Sequence, residues 1–160
     1  DRHQRLRRPH LHDPADLPRL LAAAADADLA IGSRYVEGGR IENWTALRKG
    51  ISRCGSAYAR LAVGIPVRDL TGGFKCFRRE ALEAIPLDSV SSRGYAFQVE
   101  LTYRVAGAGF KVVEIPIAFH ERRAGASKMS GGIVAEAAWR VPLLRLQRLF
   151  AKGRGARWVV

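Results

Sequence analysis

The chain has 160 residues, 48% of them hydrophobic, with 27 Lys and Arg against 15 Asp and Glu, a formal net charge of +12 and a pI near 10.8. That is one domain's worth of chain with enough apolar content for a core, and no apolar run approaches the ~20 residues that cross a bilayer, so a spanning helix is excluded. Two cysteines, Cys54 and Cys76, are too few and too far apart for a disulfide framework or a structural zinc, and point to a reducing compartment. The charge is uneven: no acidic residue follows Glu136, whereas Arg140, Arg145, Arg148, Lys152, Arg154 and Arg157 all do. Nucleic acid, an anionic lipid surface and phosphorylated small molecules each suit such a balance.

Residues 1–11 read as an irregular basic lead-in without the apolar segment of a signal peptide. Asp13-Pro14 starts a helix whose apolar stripe is Leu17, Leu20, Leu21, Ala24 and Ala25. Asp28 to Arg34 predicts a short buried strand that runs out into a polar loop, with Gly38-Gly39 at a loop tip. Leu47, Ile51, Cys54, Tyr58 and Leu61 recur at helical spacing and predict an amphipathic helix, capped by Asn43 or Thr45 and stopped by Gly64 and Pro66. Asp69 to Phe77 joins a glycine turn to a strand-like end, and Arg79 to Ala84 is a short helix. Tyr95 to Ala108 predicts a longer helix with Phe97, Leu101, Val105 and Ala108 on one face. Val112 to Phe119 alternates as a strand, which Pro116 places near an edge or a bulge. Ile133 to Phe150 is a basic amphipathic segment that Pro142 should kink or split. Alternating helices and strands predict an α/β fold with a mixed sheet, although the strands are few for a three-layer domain.

Several side chains on this framework could carry chemistry. Arg34 follows the end of a strand, where open α/β sheets place ligands. Arg48 and Ser52 lie one turn apart on one helix face and could hold a phosphate, although such a pair reads first as a solvated flank. Asp69 precedes the Thr71-Gly72-Gly73 turn; it could orient a hydroxyl or an arginine, act as a base, or simply bond its own turn. Gln98 and Glu100 could face a sugar, while Glu100 in a first helical turn would equally suit the helix dipole. Arg122 and Lys128 belong to a cationic loop that could close over a diphosphate or stay an exposed loop. Asp26-Ala27-Asp28 has the form of a metal-binding pair but leads straight into an apolar strand, which favours a structural junction. His10-Leu11-His12 lacks further ligands for a metal.

In order and spacing, HDPADLPRLL, DADLAIGSRY, WTALRKGISR, DLTGGFKCF, GYAFQVELTYR and EIPIAFHERRAGASKMSGG resemble the dolichol-phosphate (polyprenol-phosphate) mannosyltransferases of glycosyltransferase family 2. The resemblance runs from about His12 to Gly132 and is to the C-terminal half of such an enzyme. It implies a GT-A-like mixed sheet with flanking helices, and transfer of mannose from GDP-mannose to polyprenol (dolichyl) phosphate with inversion. It also implies that Arg34, Arg48 and Ser52 bind the acceptor phosphate, that Arg122 and Lys128 cover the donor diphosphate, and that Asp69 lies near the reaction centre in a positioning role. Family members use Mg²⁺ or Mn²⁺ on a DxD motif placed before the helix HDPADLPRLL, where this chain has Arg7-Arg8-Pro9-His10-Leu11.

The expected organisation is therefore a lead-in (1–11), a partial glycosyltransferase domain (12–132) without the N-terminal nucleotide-binding part, and a basic amphipathic helix and tail (133–160). On that reading the chain alone makes little or no mannosyl lipid. Peripheral attachment to the cytoplasmic face of a membrane is expected, through anionic lipid at the C-terminal segment, with room for a membrane-anchor protein; the same segment reads equally as a helix packed on the domain with a disordered basic tail. The alternatives are transfer of another sugar from its nucleotide to the same lipid, or a non-enzymatic anion-binding or lipid-binding module. No nucleic-acid motif accompanies the charge, so nucleic acid is not expected as a partner.

Overall fold

A computed structural model describes residues 13–90, 92–120, 135 and 138–147. In chain order the elements are α1 (Asp16–Ala25), β1 (Leu29–Ser33), β2 (Arg40–Glu42), α2 (Ala46–Val63) and β3 (Lys75–Phe77). There follow α3 (Arg79–Glu83), a 3-10 turn (Leu87–Ser89), α4 (Gly94–Gly107), β4 (Val112–Pro116) and β5 (Ala118–His120). Residues 138–147 are helical without a break at Pro142, so of the expected kink or split the split does not occur there.

Strand β1 is buried along its whole length because it is central and covered on both faces. It pairs in parallel with β4, from Leu29↔Val112 to Ser33↔Pro116, and antiparallel with β3, giving the order β3-β1-β4. Side chains alternate across a strand, so β1 feeds two cores. Leu29 and Ile31 join Ala59 and Val63 of α2, Val99, Leu101 and Val105 of α4, and Val141. Ala30 joins Leu20 and Ala24 of α1, with Phe74, Val113 and Ile115 packed against them. Gly32 is required by packing: a Cβ there would stand 2.5 Å from the Phe74 ring and 3.0 Å from Ile117. The result is a mixed α/β arrangement with helices on both faces of a mixed sheet.

The stretch predicted as one strand is two. Ile117 is the pivot: its N–H donates to Ser33 O at 3.1 Å, and its carbonyl accepts from Arg40 N at 3.0 Å. The chain thereby leaves the first sheet and enters a second one, in which β5 runs parallel to β2. Pro116 ends β4 on a sheet edge among the described residues, as proline's missing N–H predicts.

Helix α2 forms where the periodicity places it, with Thr45 Oγ1 accepting from Arg48 N and Gly64 ending it at φ 72°. Its orientation is the reverse of what an apolar stripe suggests. Ser56, Ala59 and Val63 face the protein. Leu47, Ile51, Tyr58 and Leu61 are 75%, 51%, 44% and 73% exposed, and Cys54 is exposed too. In α1, likewise, Leu20 and Ala24 are buried while Leu17 and Leu21 lie outside. Helix α4 is buried nearly all round, from Ala96 to Val105, with Phe97 exposed. The C-terminal helix docks on the domain through Val141 and Leu144, and Tyr58 Oη donates to Ala138 O.

Candidate functional site

The parallel strands β1 and β4 end side by side, and the loop 64–74 crosses their C-terminal ends. Arg34 and Asp69 meet there. Arg34 Nε donates to Asp69 Oδ2 and Nη2 to Oδ1, both at 2.7 Å, and the Arg34 N–H donates to Oδ2 at 3.0 Å. Gly72 N donates to Oδ1 at 3.0 Å; a Cβ on Gly72 would crowd that oxygen at 3.2 Å. The carboxylate is 0% exposed and the arginine 8%. Burial works against the Arg34 charge, but the hydrogen bonds and attraction of Asp69 outweigh it and raise the guanidinium pKa further. Thr71 Oγ1 accepts from Arg34 Nη2 at 3.0 Å and contacts Ser56 Oγ of α2 at 3.2 Å.

Two charged groups that the sequence reading missed support this pair. Glu114 of β4 accepts from Arg68 N at 2.8 Å and from Asp69 N at 2.9 Å, fixing the start of the loop. Lys75 of β3 donates from Nζ to Leu70 O, Gln98 O and Thr102 Oγ1 at 3.3, 2.9 and 2.8 Å. Burial lowers its pKa to about 7, against the opposing pull of Asp69. A signal was available for both: each is a lone charge inside a short, otherwise apolar strand.

Of the residues singled out earlier, Ser52 reaches this centre through Tyr35, whose Oη lies 2.6 Å from Ser52 Oγ. Burial raises the Tyr35 pKa, although Arg34 opposes it. Arg48 places its guanidinium over Trp44, 4.3 Å from the ring centroid. The Gln98 side chain faces the glycine turn, its Nε2 being 3.9 Å from where a Cβ on Gly73 would stand. Glu100 is turned away from such a role: it is 1% exposed, accepts from Arg104 Nε and Nη2 at 2.9 and 2.6 Å, and accepts from Ser92 N at 3.2 Å. Because α4 begins at Gly94, Glu100 stands in the second turn, so the first-turn dipole explanation also fails. Arg122, Lys128, His10 and His12 lie outside the described residues.

Asp28 is a junction residue, its Oδ2 accepting from Lys111 N at 2.8 Å, and Asp26 caps the end of α1. Among the described residues no three His, Cys, Asp or Glu side chains converge as metal ligands.

No protein-family model matches the chain. It is 52% identical over 126 residues to the undecaprenyl-phosphate mannosyltransferase of Micrococcus luteus, covering 79% of this chain and 52% of that protein. It is 46% identical over 145 residues to the polyprenol monophosphomannose synthase of Mycolicibacterium smegmatis, covering 90% and 55%. The dolichol-phosphate mannosyltransferase of Pyrococcus furiosus is 35% identical over 128 residues, covering 78% and 35%. The chain is thus homologous to the polyprenol-phosphate mannosyltransferases over most of its own length, and spans about half the length of the first two of these relatives.

Proposed function

We propose that the chain forms the acceptor-phosphate side of a GT-A-like glycosyltransferase that moves mannose from GDP-mannose to a polyprenyl phosphate with inversion. The observation that carries this reading is the 52% identity to a protein named as an undecaprenyl-phosphate mannosyltransferase. The geometry supports it by gathering cationic and hydroxyl groups at the C-terminal ends of parallel strands, the ligand-binding end of open α/β sheets.

In the proposed reaction a phosphate oxygen attacks the anomeric carbon from the face opposite the leaving group. A new C–O bond forms as the bond to the diphosphate breaks, and GDP departs with the electron pair. The nucleophile is already anionic at neutral pH, so it needs charge compensation rather than a base. Asp69 suits no base role, since its oxygens are already engaged by Arg34 and Gly72. It acts as a positioning residue for Arg34. Because Asp69 neutralises Arg34, the phosphate would meet Arg48 as its main cation, with Ser52 a turn away as a hydroxyl partner. Gln98 would line the sugar side. Arg122 and Lys128 are assigned to the donor diphosphate by resemblance alone.

The same reading accounts for the outward face of α2. Its exposed Leu47, Ile51, Tyr58 and Leu61 are flanked by Arg48, Lys49, Arg53 and Arg60, and the helix carries no acidic residue. Trp139 and Leu146 of the C-terminal helix add 58% and 48% exposed apolar side chains. An apolar stripe rimmed by cations fits an anionic bilayer surface, and peripheral attachment there would bring Arg48 and Ser52 to the plane of their lipid. No helix among the described residues is long and apolar enough to cross a membrane.

A chimera tests the function. Replacing the matching segment of the Micrococcus luteus protein by this chain's residues should leave mannose transfer to undecaprenyl phosphate measurable, and adding Arg48→Ala should raise the lipid KM several-fold. A folded chimera inactive at every lipid concentration would contradict the reading.

A further inference from the structure

Helix α2 meets the chain leaving β1 through a pair of hydroxyls. Tyr35 Oη lies 2.6 Å from Ser52 Oγ, a short contact for two uncharged oxygens, and both residues are half-buried. Tyr35 is held from the β1 side: its N–H donates to Ser33 Oγ at 3.3 Å. The Arg34 guanidinium, itself fixed by Asp69 and Thr71, stands 5.0 Å from the Tyr35 ring centroid. Ser52 is held by the helix. A helical serine or threonine can turn its hydroxyl back to the carbonyl four residues earlier, as Thr102 of α4 does to Gln98 O at 2.9 Å. Among the described residues Ser52 makes no such bond, and its side-chain partner is Tyr35.

A hydroxyl has one proton to give and two lone pairs to receive one, so a single oxygen of the pair donates across this contact. A phenol, with an ordinary pKa of about 10, is a stronger acid than an aliphatic alcohol and so the better donor. Burial moves the Tyr35 pKa higher still, and the phenol keeps its proton at neutral pH. With Tyr35 donating, Ser52 accepts, and its own proton is released for a third group; accepting one bond also strengthens the bond it gives. In the opposite sense Ser52 would spend its proton on Tyr35 and turn lone pairs to an arriving anion. We propose that Tyr35 is a positioning residue for the acceptor phosphate: by donating to Ser52 Oγ it fixes the Ser52 hydroxyl as a hydrogen-bond donor to a phosphate oxygen. This rests on the reading above that Ser52 meets that phosphate.

The test is calorimetric titration of the full chain with a short-chain isoprenyl phosphate, comparing wild type, Tyr35→Phe, Ser52→Ala and the double variant. Ser52→Ala should bind the phosphate about threefold to tenfold more weakly, and Tyr35→Phe about twofold to fivefold more weakly. In the Ser52→Ala background, Tyr35→Phe should cost less than a further ~1.5-fold, because a residue that acts only through Ser52 has nothing left to orient. A general loss of packing would appear equally in both backgrounds. Wild-type affinity in Tyr35→Phe alongside weakened binding in Ser52→Ala overturns the proposal, as does an equal loss from Tyr35→Phe with and without the Ser52 hydroxyl. Unchanged binding in Ser52→Ala overturns the acceptor reading of Ser52 itself. A second readout covers a Tyr35→Phe protein that does not fold: a fluorinated tyrosine of lowered phenol pKa at position 35. Above that pKa the phenolate can only accept, and it draws the Ser52 proton to itself. Phosphate affinity should then fall more steeply with pH than in the same protein carrying Ser52→Ala; equal falls in both contradict the proposal.

Discussion

Replacing Asp69 by Asn keeps the shape of the side chain and removes the charge against which Arg34 is buried. A buried pair broken from one side leaves an uncompensated charge, at a cost of ~3 kcal/mol. Asp69→Asn should therefore lower the urea midpoint clearly, whereas Glu100→Gln should disturb stability without changing isoprenyl-phosphate affinity. Lys75 gives a pH signature. Its folded pKa of about 7 lies below the ordinary lysine value, so between the two the unfolded chain binds more protons. Its contribution makes stability rise with pH across that window, by up to ~1.4 kcal/mol per unit; below the window it is a constant penalty with no slope. Urea melts at pH 7 and pH 9.5 should show a rise in wild type relative to Lys75→Met; equal slopes would contradict it. At this scale the sequence made Arg34 and Asp69 legible through strand end and glycine turn. It could not disclose that Glu114 holds the Asp69 N–H, because those residues stand 45 positions apart and meet only through β4 pairing.

Helix α2 separates two kinds of legibility. Period, cap and stop fixed where the helix is, since these depend on local chemistry. Which face turns inward depends on the partner surface, and there small residues won: Ser56 and Ala59 let the helix approach the Thr71 loop and the core closely. Substituting Leu47, Ile51 and Leu61 together by Ser should change stability little, because such exposed positions contribute within about 0.5 kcal/mol each. The same variant should lose co-sedimentation with anionic vesicles; full retention would remove α2 from the membrane account. Thr45→Ala, by contrast, should cost ~1 kcal/mol through the lost cap. The division of β4 from β5 was illegible for a related reason. Ile117 continues the apolar alternation, yet its backbone bonds to Ser33 and Arg40 in different sheets, which no local pattern encodes.

Across the whole molecule, the +12 charge resolves into groups with different tasks. Arg34 is neutralised by Asp69, Lys75 is held inside by carbonyls and a hydroxyl, and Arg48, Lys49, Arg53 and Arg60 decorate one helix beside the site. Composition alone permitted nucleic acid as readily as lipid phosphate; placement favours the latter, because the cations of α2 rim an apolar face. On the proposed function, this chain recognises a phosphate borne on an isoprenoid. Calorimetric titration of the full chain with a short-chain isoprenyl phosphate, and with the matching isoprenol, separates recognition of the phosphate from recognition of the lipid. Saturable binding of the phosphate that weakens with added salt, and no detectable binding of the alcohol, is the predicted result. Equal affinity for both, or for neither, would contradict it.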